Sequence, residues 1–209
     1  MSEGLPTPDY SLSIEQRESV YEPAEDTFLL LDALEKDIKK LRALDARIVL
    51  EIGCGSGVVS TFVAQNLGKH AFHLGTDINF VAARCTRQTA RMNRIELDTI
   101  QTDLIRGLRL DRVVDILLFN PPYVPTESEA TTDIERTWAG GPTGRGTLDR
   151  FLPEVPRLLS SQGVFYLVAL HQNDIPSLLN HNEKELKGEI VMQRRCGIEH
   201  LYILKFSRI

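Results

Sequence analysis

The run Ile48-Val49-Leu50-Glu51-Ile52 passes directly into Gly53-Cys54-Gly55-Ser56-Gly57. An apolar, β-branched segment of this kind reads as a buried strand. The glycines behind it permit positive φ and let backbone approach a bound group closely. Val59, Phe62, Val63 and Leu67 then recur at helical spacing. Strand, glycine turn and helix in that order open a crossover unit of an α/β sheet. The next apolar segment, Ala71-Phe72-His73-Leu74-Gly75-Thr76-Asp77, ends in an acid. It falls about twenty residues past the glycines, where a ribose-binding carboxylate is expected. The glycine pattern alone fits a dinucleotide site equally well.

A second constraint comes from Val113-Val114-Asp115-Ile116-Leu117-Leu118-Phe119, a further apolar run that ends in Asn120-Pro121-Pro122-Tyr123. The two prolines cannot donate to a sheet ladder, so the strand must stop there. Ligands of open α/β sheets bind beyond the carboxyl ends of the strands. The Asn120 amide oxygen and the Pro121 carbonyl are acceptors suited to the two donors of a planar NH2 group. The Tyr123 ring can cover its flat face. A plain strand-ending turn is the bland alternative.

This Asn-Pro-Pro-Tyr box resembles the signature of amino-group methyltransferases that use S-adenosylmethionine (SAM). Together with the glycine turn it favours SAM over a nicotinamide cofactor. Tyr21-Glu22-Pro23-Ala24-Glu25-Asp26-Thr27, Trp138-Ala139-Gly140-Gly141 and Gly144-Arg145-Gly146 extend the likeness. They resemble the short, eukaryotic and archaeal branch of the HemK-like glutamine methyltransferases, and the likeness runs from Tyr21 to Phe206. It implies an α/β, Rossmann-like fold with a seven-stranded, mostly parallel sheet and one antiparallel strand. It implies cofactor contacts at Thr27, Glu51, Gly53, Gly55, Asp77, Asp103, Leu104 and Asn120. Thr27 would meet the carboxylate end of SAM, and Asp103 with Leu104 its adenine. Substrate would be held by Asn120, Pro121, Pro122 and Tyr123, with Asn120, Pro121 and Tyr123 the catalytic groups. The implied reaction is N5-methylation of the glutamine in the Gly-Gly-Gln loop of a class 1 translation release factor, leaving S-adenosylhomocysteine. The implied partner is a small zinc-binding activator subunit, forming a heterodimer by adding a strand at the edge near Ile100.

Composition narrows the alternatives. With 209 residues one domain is expected, residues 21–209, behind a flexible tail at 1–20 in which Tyr10 and Ile14 could dock. The formal charge of −5 and a pI near 5.6 argue against a broad nucleic-acid footprint. Adenine amino-group methylation on DNA or RNA therefore ranks second, and steep salt dependence of binding would support it. Methylation of a small molecule or another side chain, and a non-catalytic scaffold, also remain; failure to bind SAM beside the partner would mark the scaffold. Cys54, Cys85 and Cys196 have no metal spacing and no disulfide framework, and the histidines are scattered, so no metal is expected on this chain. Cys54 reads as a small buried residue. Without a signal-like segment or membrane-length apolar run, the expected location is the cytoplasm, with the nucleus as a second compartment.

The remaining elements follow from pattern. Pro23 and the acids Glu25 and Asp26 mark a helix start, the acids reading as dipole compensation, and Leu30, Leu34, Ile38 and Leu41 form its buried stripe. Residues 79–94 read as a helix carrying Arg84, Arg87, Arg91 and Arg94 on one face, solvated or else a docking stripe. Residues 98–103 read as a strand, and 124–144 as a long loop with Trp138 either a core anchor or part of the active face. A helix at 148–159, a strand at 163–170, a helix at 173–187 and an antiparallel pair at 189–195 and 200–206 complete the chain.

Overall fold

A computed structural model describes residues 4–68, 70–128 and 130–209. Strands β1 (Ile48–Ile52), β2 (Phe72–Asp77), β3 (Asp98–Gln101), β4 (Val114–Phe119), β5 (Leu159–Leu170), β6 (Leu186–Cys196) and β7 (Glu199–Arg208) form one sheet. Its order is β3-β2-β1-β4-β5-β7-β6. The first five strands in that order run parallel; β7 inserts antiparallel between β5 and β6. This is the Rossmann-like, mostly parallel arrangement expected from the sequence, with the last strand inside the sheet.

Side chains alternate across the pleat, so each central strand feeds two cores. Leu50, Leu117, Phe119, Phe165 and Leu167 join Leu148, Phe151, Val155 and Leu178 on one face. The helices there are α6 (Gly146–Phe151), α7 (Val155–Leu158) and α8 (Ile175–Asn180). On the other face Val49, Ile116, Leu118, Tyr166 and Val168 pack with Leu30, Leu34, Phe62 and Val63. These last four come from α2 (Glu25–Ala43) and α3 (Val58–Leu67). Edge-to-face contacts run from Phe119 to Phe151 at 5.2 Å and on to Phe165 at 6.1 Å. Asn79 caps α4 (Phe80–Met92), its side chain accepting from the Val81 N–H at 2.8 Å.

Three segments depart from the sequence reading. Residues 4–20, read as a loose tail, are docked, with the Leu5 N–H on Glu35 of α2 at 2.9 Å and the later residues along α4; residues 1–3 of that tail are outside the described residues. Leu12 and Val20 bury against Ala82 and Cys85. Asp9 and Asn93 exchange two hydrogen bonds, Asn79 donates to the Ser19 carbonyl at 2.8 Å, and the short helix α1 (Ile14–Arg17) is boxed by Ser13 and Gln16. The segment is polar because its bonds are polar, which is why composition misread it. The helix read over 173–187 is only α8: Asp174, at a left-handed φ of 58°, caps its start at Ser177, and the chain turns after Asn180 into β6 from Leu186. The helix read over 148–159 breaks into α6, a 3-10 turn at Leu152–Glu154 and α7. Pro153 and Pro156 remove the donors a continuous ladder needs.

In α2 the buried stripe includes Asp37, while Ile38 is half-buried. Asp37 Oδ2 accepts from Lys205 Nζ at 2.7 Å and Tyr166 OH at 2.8 Å, and Oδ1 from Lys40 Nζ at 3.0 Å. Burial pushes the carboxyl up, but these donors outweigh it and hold it down at about 2. Its folded value lies below its unfolded one, so its stabilisation is present above pH 3.8 and lost as pH falls through about 2. Removing one member of a buried pair strands the other. Asp37→Ala is expected to cost about 3–5 kcal/mol in urea unfolding, and Asp37→Leu with Lys205→Met to recover most of it. A single-mutant loss below about 1 kcal/mol would contradict this network.

Candidate active site

Beyond the carboxyl ends of β1, β2 and β4 lies a cavity of about 530 Å³. Thr27, Glu51, Gly53, Gly55, Asp77, Asp103, Leu104, Asn120, Pro121, Pro122 and Tyr123 all line it. The topology gathers them because β1 is paired on both sides, with β2 and β4. The three segments after these strands therefore open at one level.

The glycine turn is built by its own backbone and by two acids. Gly53, Gly55 and Gly57 have φ of 64°, 51° and 79°, the left-handed region that glycine tolerates. At Gly57 a Cβ would lie 2.5 Å from Thr86 Cα, so the turn and α4 touch through that absent atom. Asp77 Oδ2 accepts from the Gly55 N–H at 3.0 Å and Oδ1 from the Asn79 N–H at 2.9 Å. Burial raises the Asp77 carboxyl, opposed by those backbone donors. Glu51 is almost wholly buried; its Oε2 accepts from both the N–H and the hydroxyl of Ser60. It thereby ties β1 to the first turn of α3. Cys54 is buried too, and burial pushes its thiol well up, away from nucleophilic use.

On the opposite wall a single carboxylate connects two distant segments. Asp26, buried in the first turn of α2, accepts from Asn120 Nδ2 and from Tyr123 OH, both at 2.8 Å. Its other oxygen accepts from the Thr27 N–H at 2.7 Å and Tyr21 OH at 3.2 Å. Burial and then the Asp26 charge push both tyrosine hydroxyls up, so each remains a proton donor. Asn120 Oδ1 is buried and has no partner among the described residues. The sequence reading took Asp26 as dipole compensation and missed Tyr21 as a neighbour of the box.

Asn173 was also missed. Fully buried, it donates through Nδ2 to the Tyr123 carbonyl at 2.9 Å and to the Gly144 carbonyl at 3.2 Å, and accepts from the Leu170 N–H. It locks the end of the box to the end of the long loop. That loop has structure: the Val124 N–H donates to the Trp138 carbonyl at 2.9 Å, and the Gly140 N–H to the Val124 carbonyl at 2.8 Å. Helix α5 (Asp133–Arg136) sits between, capped by Thr132 and Glu135. Glu129, counted in this loop from sequence, lies outside the described residues. Trp138 is 38% exposed and lines the cavity, so it belongs to the active face and not to the core.

The donor set fits SAM. Asp77 offers carboxylate lone pairs for two ribose hydroxyls, beside a turn in which Gly53 and Gly55 present backbone to the cavity. Asp103 lies past β3, where an adenine amino group could donate to it; Arg150 already engages its other side. Leu104 holds a strained φ of 56° at the same point. Thr27 stands at the far end, near Asn120. Among the described residues no group of three metal-ligating side chains converges, and no helix is long and apolar enough to cross a membrane.

Residues 22–194 match the family model "Methyltransferase small domain". The chain is similar to methyltransferase HEMK2 of Homo sapiens, 48% identical over 194 residues, covering 90% of each. It is similar to the eRF1 methyltransferase catalytic subunit mtq2 of Schizosaccharomyces pombe, 43% identical, covering 98% of this chain and 96% of that one. Among solved structures it resembles the E. cuniculi Mtq2–Trm112 complex responsible for methylation of the translation termination factor eRF1. The match has a TM-score of 0.69 and 29% identity and covers 91% of this chain and 99% of that one.

The buried acid of β1 gives the site a testable signature. Burial, against the Ser60 hydrogen bonds and aided by the Asp77 charge, raises Glu51 from 4.5 to about 8. A raised folded value means that its contribution is full below pH 4.5 and lost as pH rises through about 8. Thermal melts of the ligand-free protein should therefore show wild type falling behind Glu51→Gln across that interval. Parallel pH profiles for the two proteins would contradict the burial argument.

Proposed function

We infer the function from one premise: the chain belongs to the methyltransferase small domain family, in its HemK-like glutamine methyltransferase branch. It is a SAM-dependent methyltransferase. Its substrate is the glutamine of the Gly-Gly-Gln loop of a class 1 translation release factor, and its product carries the methyl on the side-chain nitrogen. The observation that carries this reading is the buried Asn120 Oδ1, which has no partner among the described residues and belongs to a residue that lines the cavity. A buried acceptor without a donor costs about 1–3 kcal/mol, which a substrate N–H offsets on arrival.

Thr27, the glycine turn, Asp77, Asp103 and Leu104 would hold SAM. When bound, SAM supplies an electrophilic methyl on a sulfonium centre. The chain contributes orientation. A carboxamide nitrogen is a weak nucleophile because its lone pair is delocalised into the carbonyl. Asn120 Oδ1 and the Pro121 carbonyl accept its two N–H groups and turn the nitrogen towards the methyl. The same two acceptors stabilise the positive charge that grows on nitrogen as it attacks. Holding two reactants in line can lower a barrier by roughly 7–11 kcal/mol at the limit. Tyr123 walls the amide plane, and Asn173 with the long loop keeps that wall in place. The proton leaves to solvent after transfer.

A partner subunit completes the enzyme. β3 lies at the sheet edge, and an uncovered edge is a pairing template. Around it stand exposed apolar side chains: Phe72, Ile78, Phe80, Met92 and Ile100. A small activator that adds its own strand at β3 would cover them, and any zinc would belong to that activator. The arginines of α4 are exposed, and Arg84 rests over Phe80 at 5.9 Å. They are placed to meet acids on the partner. Ile100→Arg is expected to reduce co-purification with the activator at least tenfold; undiminished capture would remove this edge from the interface.

Labelled SAM and intact release factor give the test of the reaction, with the methyl located by tandem mass spectrometry. Asn120→Ala is expected to abolish transfer while SAM affinity stays within about tenfold, or roughly 1.4 kcal/mol. Asp77→Ala should do the reverse, weakening SAM binding in calorimetry, because charge-assisted bonds to the ribose are lost. Near-normal turnover by Asn120→Ala at saturating SAM would sink the acceptor box.

A further inference from the structure

We propose that Asp26 is the positioning residue that sets the hydrogen-bond polarity of the acceptor box, and that it thereby makes the enzyme select a carboxamide over a carboxylate. The proposal rests on the reading of the substrate as a glutamine side chain.

Asp26 is 3% exposed, so every group against it must compensate for lost water. An ionised carboxylate only accepts, so each neighbour must donate. The backbone N–H of Thr27 and the hydroxyls of Tyr21 and Tyr123 do so. Hydroxyls can turn their proton towards it, whereas Asn120 must choose which atom to present, an oxygen or an NH2 group. X-ray scattering rarely separates the two, and the network must decide. Here it decides without ambiguity. An amide oxygen turned to Asp26 Oδ2 would set two acceptors 2.8 Å apart with no proton between them.

With Nδ2 committed to Asp26, Oδ1 is the only face Asn120 has left; it is buried and has no partner among the described residues. The box therefore presents an acceptor and asks for a donor. A glutamine side chain brings two N–H donors. A glutamate side chain brings none, and adds a negative charge next to an orphaned oxygen and a buried carboxylate. Sites that require a hydrogen bond reject analogues lacking it far more strongly than apolar pockets reject a missing methylene.

Two features separate this role from simple packing. Asp26 reaches Asn120 across 94 positions in sequence and Tyr123 across 97, so it couples the cofactor-side helix to the substrate-side turn. Among the described residues its hydrogen bonds to the box come from Nδ2 of Asn120 and the Tyr123 hydroxyl. Its influence on substrate runs through these two side chains.

The test uses the chain co-purified with its activator and two forms of the intact release factor. One carries the loop glutamine; the other carries glutamate there and serves as a competitive inhibitor. Wild type is expected to bind the glutamate form at least 100-fold more weakly than the glutamine form. Asp26→Asn is close in shape but can present either polarity. It should lower kcat on the order of 100-fold, the loss typical of one mis-set polar group at a reacting centre. It should also shrink the glutamine-to-glutamate preference at least tenfold, with the SAM dissociation constant moving less than threefold. Asp26→Glu keeps an acceptor-only group and should retain the preference even where kcat drops; it serves if Asp26→Asn does not fold. An Asp26→Asn enzyme that binds SAM normally and keeps both rate and preference within threefold would overturn the proposal, as would loss of the preference in Asp26→Glu. A wild type that leaves the glutamine unmethylated overturns the substrate reading instead, so the two failures are distinguishable.

Discussion

An ionised carboxylate sealed into the first turn of α2 admits only donors around it, and the active site is arranged to meet that demand. Asp26 draws in the Tyr21 and Tyr123 hydroxyls and the NH2 group of Asn120. The charge lies at a helix N-terminus, where the macrodipole favours it, and the Thr27 N–H answers it directly. Because α2 packs on the sheet face opposite α6–α8, the carboxylate also fixes where that helix stands relative to the end of β4. Changing it would disturb the box before it disturbed the core.

The cavity has two walls of different character. On one side glycines and acids prepare a cradle: Asp77 gathers the Gly55 and Asn79 N–H groups, and Glu51 gathers Ser60. On the other side the box, Asn173 and the long loop form a frame that faces the acceptor. In the first wall the side chains point at their own backbone, so the ligand meets a surface already in place. In the second, one acceptor is left over for a group that the chain does not supply. Preorganisation of this kind is what lets polar groups lower a barrier without reorganising during the reaction.

Much of this was legible in sequence because it depends on local rules. Glycines at positive φ, an acid ending β2 and prolines ending β4 each announce themselves within a few residues. The seven-stranded, mostly parallel sheet with one antiparallel strand followed from the family likeness. What stayed hidden depends on distance. Nothing near Asp26 says that Asn120 and Tyr123 will stand against it, and nothing near Asn173 says that it will bridge Tyr123 and Gly144. Residues 4–20 read as loose because their anchors, Gln88 of α4 and its caps Asn79 and Asn93, are distant in sequence. The overlong helix at 173–187 shows the limit of periodicity where the chain turns after Asn180 and enters β6 at Leu186.

The orientation of one amide carries the whole account, and neutron diffraction on the deuterium-exchanged protein reads it directly. The expected map shows both deuterons on the Asn120 atom that faces Asp26, a deuteron on the Tyr123 oxygen directed at the same carboxylate, and a bare Asn120 oxygen on the remaining side. Deuterons on the atom turned away from Asp26, or a protonated Asp26 donating to Asn120, would contradict it.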